Sequence, residues 1–399
     1  MPWMTNLFYD PVLPLSALGN FAQRPLRQIT LPGTHDSGCY RNQPISNAYS
    51  ATQSQDIYQQ LAGGIRYFDL RPWPDGADFW TYHGPLYWGG KLTGNDGILQ
   101  QIREFFQGLA PTDRELVILN ISHFHQPFTD LDHGNLVAAI QAALGPYLVP
   151  YTQDLINVFD CPYWQLLTAP PAPGGPPPAM TPATMRSRVL ILYDGALDTA
   201  AEQWVSTLPF VPAPAAQPPR QGVPGFFVLW PKYAPPNPIQ LFDQYANLGR
   251  VDDGYILGGI RTDQLNKLRT RQNYVYSAQP FNPGPWSANA AGGVVSTLHL
   301  LSWTVTPQFS LTLTGTWDPL VAAREMTNPL LLDLFCGPNR GWNGPYYSAA
   351  ADPQINIIYV DDYASIKHKT GGSPWYGMAL PVAIAARMNV GPVAVSSTW

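Results

Sequence analysis

The chain has 399 residues, enough for one large domain or two medium ones, and its 45% hydrophobic content supplies a full core. Charged side chains make up only 12%, about half the usual share, and 22 basic against 27 acidic residues leave a formal charge of -5, which excludes nucleic acid as an expected partner. Three cysteines, Cys39, Cys161 and Cys336, are too few and too scattered for a disulfide framework or a C-x-x-C zinc site and read as small buried residues.

The N-terminal stretch MPWMTNLFYDPVLPL has no basic start and no continuous apolar segment, and nowhere does an apolar run reach the roughly 18 residues of a membrane span. We expect a soluble protein with no ordinary signal peptide, export by another route being open. RQITLPG (Arg27 to Gly33) then reads as a first strand and SQDIYQQLAGG as a helix, followed by the strands GIRYFDLRPW and DFWTYHG. GILQQIREFFQGLA is helical, with apolar residues at Ile98, Leu99, Ile102, Phe105 and Phe106 on one face. The strand ELVILNIS, the helix HGNLVAAIQAALG and the strand RVLILYDG come next. Two proline-rich stretches, Ala169 to Thr184 and Leu208 to Gly225, flank RVLILYDG; proline lacks the amide donor of regular structure, so both read as surface excursions. GFFVLWPKY and NYVYSAQ read as strands on either side of the helix TDQLNKLRTRQN, which follows the first and leads into the second; PLVAAREMTNPLLLDLF is helical, QINIIYVDDY closes the set, and a last helix falls within Pro374 to Val390.

Several of these strands are apolar on both faces, as parallel strands covered by helices are. About eight of them alternating with helices predict an α/β fold, a single-domain, irregular (β/α)8 TIM-type barrel over residues 1–399 with proline-rich loop excursions. In such barrels functional groups sit at the C-terminal ends of strands. His35 and Asp36 follow the first strand, Arg71 ends the second, His83 the third, and Asp361 and Asp362 the last.

Two histidines flanking a phosphate can divide phosphodiester cleavage, one accepting a proton from the nucleophile and the other protonating the leaving oxygen. An arginine between them neutralises charge on the phosphoryl oxygens, and carboxylates beside the imidazoles fix tautomer and charge. LPGTHDSG, LAGGIRYFDLRPW, YHG and INIIYVDDY together resemble the X domain of phosphatidylinositol-specific phospholipases C, in particular the compact bacterial type. The resemblance is strong over Gln28 to His83, fair to Ser122, and weak beyond except at the last strand. It implies that His35 is the base for the inositol 2-hydroxyl, Asp36 the helper of the acid, His83 the acid for the departing diacylglycerol, and Asp361 the residue that holds the base. Arg71, ending FDLR, would stand where calcium-dependent relatives place their ion, so neither metal nor cofactor is expected. The product would be an inositol cyclic phosphate, opened more slowly by water. Asp69 is a supporting residue, equally readable as a buried hydrogen-bonding group.

Departures from the bacterial pattern fall on the inositol contacts. The fourth strand carries Ser122 near the expected lysine, the fifth lacks the arginine, and the sixth keeps Tyr233 but has Pro231 where an acid is expected. Asp194 and Lys232 are candidate replacements, giving Ser122, Asp194, Lys232 and Tyr233 as substrate-binding candidates. The expected partner is therefore a phospholipid or another phosphodiester with a neighbouring hydroxyl, met in transient contact with a membrane surface by a monomer. A second reading is a lipid- or glycan-binding, toxin-like protein with lost or redirected turnover. A third is a metal-dependent barrel enzyme resembling glycerophosphodiester phosphodiesterases, against which THDS and Arg71 both argue. His123 and His125, with Asp130, Asp132 and His133 following, fit a metal site less well than a polar strand end. Phe79 and Trp80 read as core, while Tyr87 and Trp88 read equally as core or as membrane-interface aromatics.

Overall fold

Among the described residues eleven short strands carry the architecture, in chain order β1 (Leu31–Thr34), β2 (Tyr67–Leu70), β3 (Pro72–Asp75), β4 (Asp78–His83), β5 (Tyr87–Lys91), β6 (Leu116–Ile121), β7 (Arg188–Tyr193), β8 (Phe226–Val228), β9 (Ile239–Phe242), β10 (Ser296–Trp303) and β11 (Ile357–Val360). The computed structural model describes residues 2–9, 21–41, 50–83, 87–153, 155–170, 184–193, 223–229, 239–243, 259–269, 296–304, 318–335, 347, 354–369 and 376–390. Eight strands form one sheet in the order β8-β7-β6-β2-β1-β11-β10-β9, and every neighbouring pair is parallel. Read cyclically, that order is chain order with β3 to β5 set aside, which is the connectivity of a (β/α)8 barrel. The barrel is nearly closed: among the described residues no pairing joins β8 to β9.

Every residue of β1, β2, β6 and β11 is buried, as strands with barrel interior on one face and helices on the other require. β1 sits between β2 and β11 in this tight region, and Gly33 makes the fit possible. A Cβ there would lie 2.9 Å from both Ile357 Cγ2 and Tyr67 Cδ1.

The helix between β1 and β2, α2 (Ile57–Gly63), follows a short N-terminal α1 (Trp3–Tyr9) and starts on a reciprocal cap between Asp56 and Gln59. In α3 (Ile98–Gly108) the buried side chains are Ile98, Leu99, Ile102, Phe105 and Phe106, the set its periodicity predicts. The next helix, α4 (Asp130–Leu144), begins three residues before the expected start at His133, because Thr129 and Asp132 cap each other's backbone amides. Pro319–Ala322 and Asn328–Phe335 are α-helical and joined by a π-helical turn at Ala323–Thr327, and the last helix is Leu380–Val390, buried along its length. At the N-terminal end of the barrel the buried Arg66 guanidinium pairs with Glu115 at 2.7 Å. Glu115 also accepts from the Thr5 amide at 2.8 Å and the Thr5 hydroxyl at 2.7 Å.

One expected barrel strand is not one. DFWTYHG forms β4, the middle strand of an antiparallel three-stranded sheet β3-β4-β5 inserted after β2. Alternating apolar and polar residues suit an antiparallel strand with one wet face as well as a barrel strand, so pattern alone did not distinguish them. β9 and β10, which are not among the expected strands, complete the eight, while NYVYSAQ lies outside the described residues, as do nearly all of both proline-rich stretches. Phe79 is buried, but Trp80 is half-buried and its indole donates to Asp75 at 3.2 Å. Cys39 and Cys161 are buried, and Cys336 lies outside the described residues. No helix among the described residues is long and apolar enough to cross a membrane.

Candidate active site

The C-terminal ends of β1, β2, β6 and β11 open on one mouth, and the inserted sheet delivers a fifth group to it. Gly38 allows that delivery. The turn after β1 packs against β4 and β5 so closely that a Cβ on Gly38 would lie 2.4 Å from Thr81 Oγ1. The Gly90 amide donates to the Gly38 carbonyl at 2.7 Å, which fixes the sheet against the turn. His83, at the end of β4, thereby faces His35, at the end of β1, with ring centroids 5.6 Å apart and planes at 84°.

Asp36 is the hub. Its backbone is left-handed, φ 39°, a conformation uncommon outside glycine but tolerated by Asp. The turn points its buried carboxylate back into the cluster, where Oδ2 lies 3.4 Å from His35 Nε2 and 3.3 Å from His83 Nε2. Oδ1 meets Arg71 Nε at 2.6 Å. Arg71 also donates to Asp69 Oδ2, from Nη2 at 2.9 Å and from Nε at 3.2 Å. Asp69 accepts further bonds from the Ser122 hydroxyl, at 3.1 Å, and from the Tyr359 hydroxyl.

Each imidazole is held by its Nδ1. His35 Nδ1 lies 2.8 Å from Asp361 Oδ1, and His83 Nδ1 lies 3.2 Å from the Ser50 carbonyl. Carboxylates and carbonyls only accept, so both Nδ1 atoms carry hydrogen and both Nε2 atoms are left for chemistry beside Asp36. Gln53 ties the two strand ends together, its Nε2 donating to the His35 carbonyl at 3.2 Å and the Val360 carbonyl at 3.1 Å. Asn328 donates to the carbonyls of Asp361 and Asp362 at 2.9 and 3.1 Å. Asp362 itself turns away, toward Ser54 and Arg324.

The two histidines are tuned in opposite directions. Burial works against charge on His35, but Asp361 and Asp36 outweigh it and raise the imidazole above its ordinary value. Burial dominates at His83 and lowers it despite Asp36. The Asp361 carboxyl is raised by burial, which the His35 contact opposes. Asp69 is buried, yet Arg71 leads the charges that hold its carboxyl well below the usual range.

His35, Asp36, Arg71, His83, Asp361 and Asp69 thus converge. Ser122 is fully buried beneath them, with its hydroxyl donated to Asp69 and accepting from His123 Nδ1 at 2.9 Å. Asp194, Lys232 and Tyr233 lie outside the described residues. The histidines after β6 do not converge on one another. His125 stacks on Trp73 with ring centroids 3.8 Å apart, and buried His133 bonds the Tyr193 hydroxyl at 2.6 Å. Sequence reasoning missed Ser50, Gln53, Asn328 and Tyr359, because three act through loop or helix positions without a local pattern and Tyr359 reads as an ordinary core aromatic.

No protein-family model matches the chain. The chain is similar to the 1-phosphatidylinositol phosphodiesterase of Listeria monocytogenes, 32% identical over 99 residues that cover 24% of this chain and 28% of that protein. It is also similar to PI-PLC X domain-containing protein 2 of Homo sapiens, 30% identical over 151 residues covering 32% of this chain and 47% of that one. The matches therefore span less than half the length of these relatives. Among solved structures, phosphatidylinositol-specific phospholipase C from Listeria monocytogenes superposes with TM-score 0.47 at 16% identity, covering 91% of this chain and 95% of that one. A mutant of the Staphylococcus aureus enzyme gives 0.46 at 14%, covering 96% and 99%. The strand order defines a (β/α)8 barrel whose polar cluster lies at its C-terminal mouth. The sequence similarity is narrower, and over the matched residues the chain resembles PI-PLC X-domain proteins.

Proposed function

We propose that the protein is a metal-independent phosphodiesterase that cleaves a phosphatidylinositol-type lipid to diacylglycerol and a cyclic inositol phosphate. The observation that carries this reading is the pair of imidazoles whose Nε2 atoms both face Asp36 Oδ2, at 3.4 and 3.3 Å, beside the Arg71 guanidinium. The similarity to proteins named for phosphatidylinositol phosphodiesterase activity supports the lipid class.

In this reading Arg71 binds the phosphoryl oxygens and carries the charge that develops on them. His35 Nε2 takes the proton of the hydroxyl next to the phosphate, the resulting oxygen attacks phosphorus, and His83 Nε2–H protonates the departing glycerol oxygen. Asp361 keeps His35 in the tautomer with its base on Nε2 and stabilises the imidazolium that forms. Asp36 stabilises the charged form of His83. The reacting form has His35 neutral and His83 protonated, whereas the resting tuning favours the proton on His35. An anionic phosphodiester bound next to His83 redresses this balance, because a nearby negative charge favours the imidazolium. Ring opening by water uses the same two groups in exchanged roles.

The test is turnover of phosphatidylinositol in mixed micelles with excess chelator. His35→Ala and His83→Ala are each expected to lose at least about 10²-fold in kcat with nearly unchanged thermal unfolding. Wild-type activity in both variants would dismiss the reading.

A further inference from the structure

The same three atoms lie at the spacing of metal ligands. We propose that His35 Nε2, His83 Nε2 and Asp36 Oδ2 bind one zinc-class divalent cation, and that its binding inhibits the enzyme reversibly; the inhibition, though not the binding, rests on the reaction proposed above.

Geometry carries the proposal. Zinc takes imidazole nitrogen at about 2.0–2.1 Å and carboxylate oxygen at about 2.0–2.2 Å. Two ligands on a tetrahedral ion at those lengths are separated by about 1.63 bond lengths, or roughly 3.3–3.4 Å. The separations here are 3.4 Å from His35 Nε2 to Asp36 Oδ2 and 3.3 Å from His83 Nε2 to Asp36 Oδ2. All three donor atoms lie within 4.8 Å of one another. Two edges thus match a tetrahedral ion, and the His35–His83 edge, within 4.8 Å, closes on it as the rings turn, leaving the fourth position for water or a phosphoryl oxygen.

The supporting partners are those of a built site. Ligating histidines commonly donate their other ring N–H to a carboxylate or a backbone carbonyl, which fixes the ring and raises its basicity. His35 does so to Asp361 at 2.8 Å and His83 to the Ser50 carbonyl at 3.2 Å. The surroundings also favour a cation: Arg71 meets Asp36 and Asp69, and Asp361 adds a third carboxylate on the far side of His35. Two imidazoles and one carboxylate suit zinc, whereas calcium and magnesium prefer all-oxygen shells. Arg71 contacts Asp36 through Oδ1, so Oδ2 is the oxygen that the ion shares with the histidines. A bound ion occupies the lone pair that His35 needs as a base and the nitrogen that His83 needs as an acid, and cleavage stops until it is removed.

The experiment is titration of the metal-stripped full chain with Zn2+ by calorimetry and with Co2+ by visible absorption. We expect one equivalent to bind, with the intense visible bands of four-coordinate cobalt. His83→Ala and His35→Ala should abolish that signal, and Asp361→Asn should weaken binding about 10- to 100-fold. His125→Ala and His133→Gln should leave it intact. As a check on folding, Zn2+ should raise the melting temperature of the wild type but not of His83→Ala. Zn2+ should stop lipid cleavage and chelator should restore it. No stoichiometric binding, or binding that survives both histidine changes, overturns the site. Binding with activation in place of inhibition overturns the inhibitory role. Because the cobalt spectrum needs no turnover, a bound ion in a protein that cleaves no lipid condemns the proposed function and not the site; cleavage without binding does the reverse.

Discussion

Asp36 touches both histidines and Arg71, so its single left-handed residue decides whether base, acid and phosphate clamp can meet. The pair of imidazoles behaves as one titrating unit that is active with one proton, and its pH profile reports macroscopic values. Activity rises as pH increases past the lower value, to which the lowered His83 contributes most, and falls past the higher one, set by the raised His35. Asp361→Asn removes a carboxylate from the Nδ1 side of His35, so the His35 value must drop. The expected outcome is a loss of about 10²–10⁴-fold in kcat together with a downward shift of the alkaline limb of kcat/KM. An alkaline limb that stays in place would separate Asp361 from the proton on His35. At this scale the sequence was most informative: His35, Asp36, Arg71 and Asp361 stand within two residues of their strand ends, where local pattern and chemistry coincide. Ser50 and Gln53 were illegible because they act through a loop that returns to the mouth, and nothing local marks a backbone carbonyl or an amide as a partner for a residue elsewhere in the chain.

Between elements, the docking of the inserted sheet β3-β4-β5 on the turn after β1 places the acid. Its closeness is set by Gly38 against Thr81, 2.4 Å from where a Cβ would sit. Gly38→Ala is expected to destabilise the protein by about 1–3 kcal/mol, as overpacking does, and to reduce kcat by displacing His83. Thr81→Ala in the same chain removes the two nearest clashing atoms and should recover part of both losses, measured as a double-mutant cycle of urea unfolding and turnover. Additive losses would mean that the sheet does not position His83. The misreading of β4 as a barrel strand has its cause here. Its period-2 pattern fixes that it is a strand but not which strand it pairs with, and pairing partners far away in sequence decide between barrel and insertion. β9 was missed because IQLF is only four residues long in proline-rich surroundings.

Across the whole molecule, stability and chemistry occupy opposite ends of the barrel. Arg66 and Glu115 precede β2 and β6 and are fully buried at the N-terminal end, while the site lies past the C-terminal ends of the same strands. Glu115→Ala removes the buried carboxylate that faces the Arg66 guanidinium and is expected to cost about 3–5 kcal/mol in urea unfolding, with activity per folded molecule unchanged. A matching loss of turnover would show that the two ends are coupled. The barrel as such was legible from doubly apolar runs alternating with amphipathic helices; the seam between β8 and β9, unpaired among the described residues, was not. The claim that joins fold to chemistry is metal-independent transfer of the phosphoryl group to a ring hydroxyl. Phosphorus NMR of phosphatidylinositol micelles with excess chelator tests it most directly, with His35→Ala alongside. A cyclic inositol phosphate signal is expected with the wild type and is absent with the variant. Phosphatidylinositol left intact by the wild type, or cleaved equally by the variant, would contradict it.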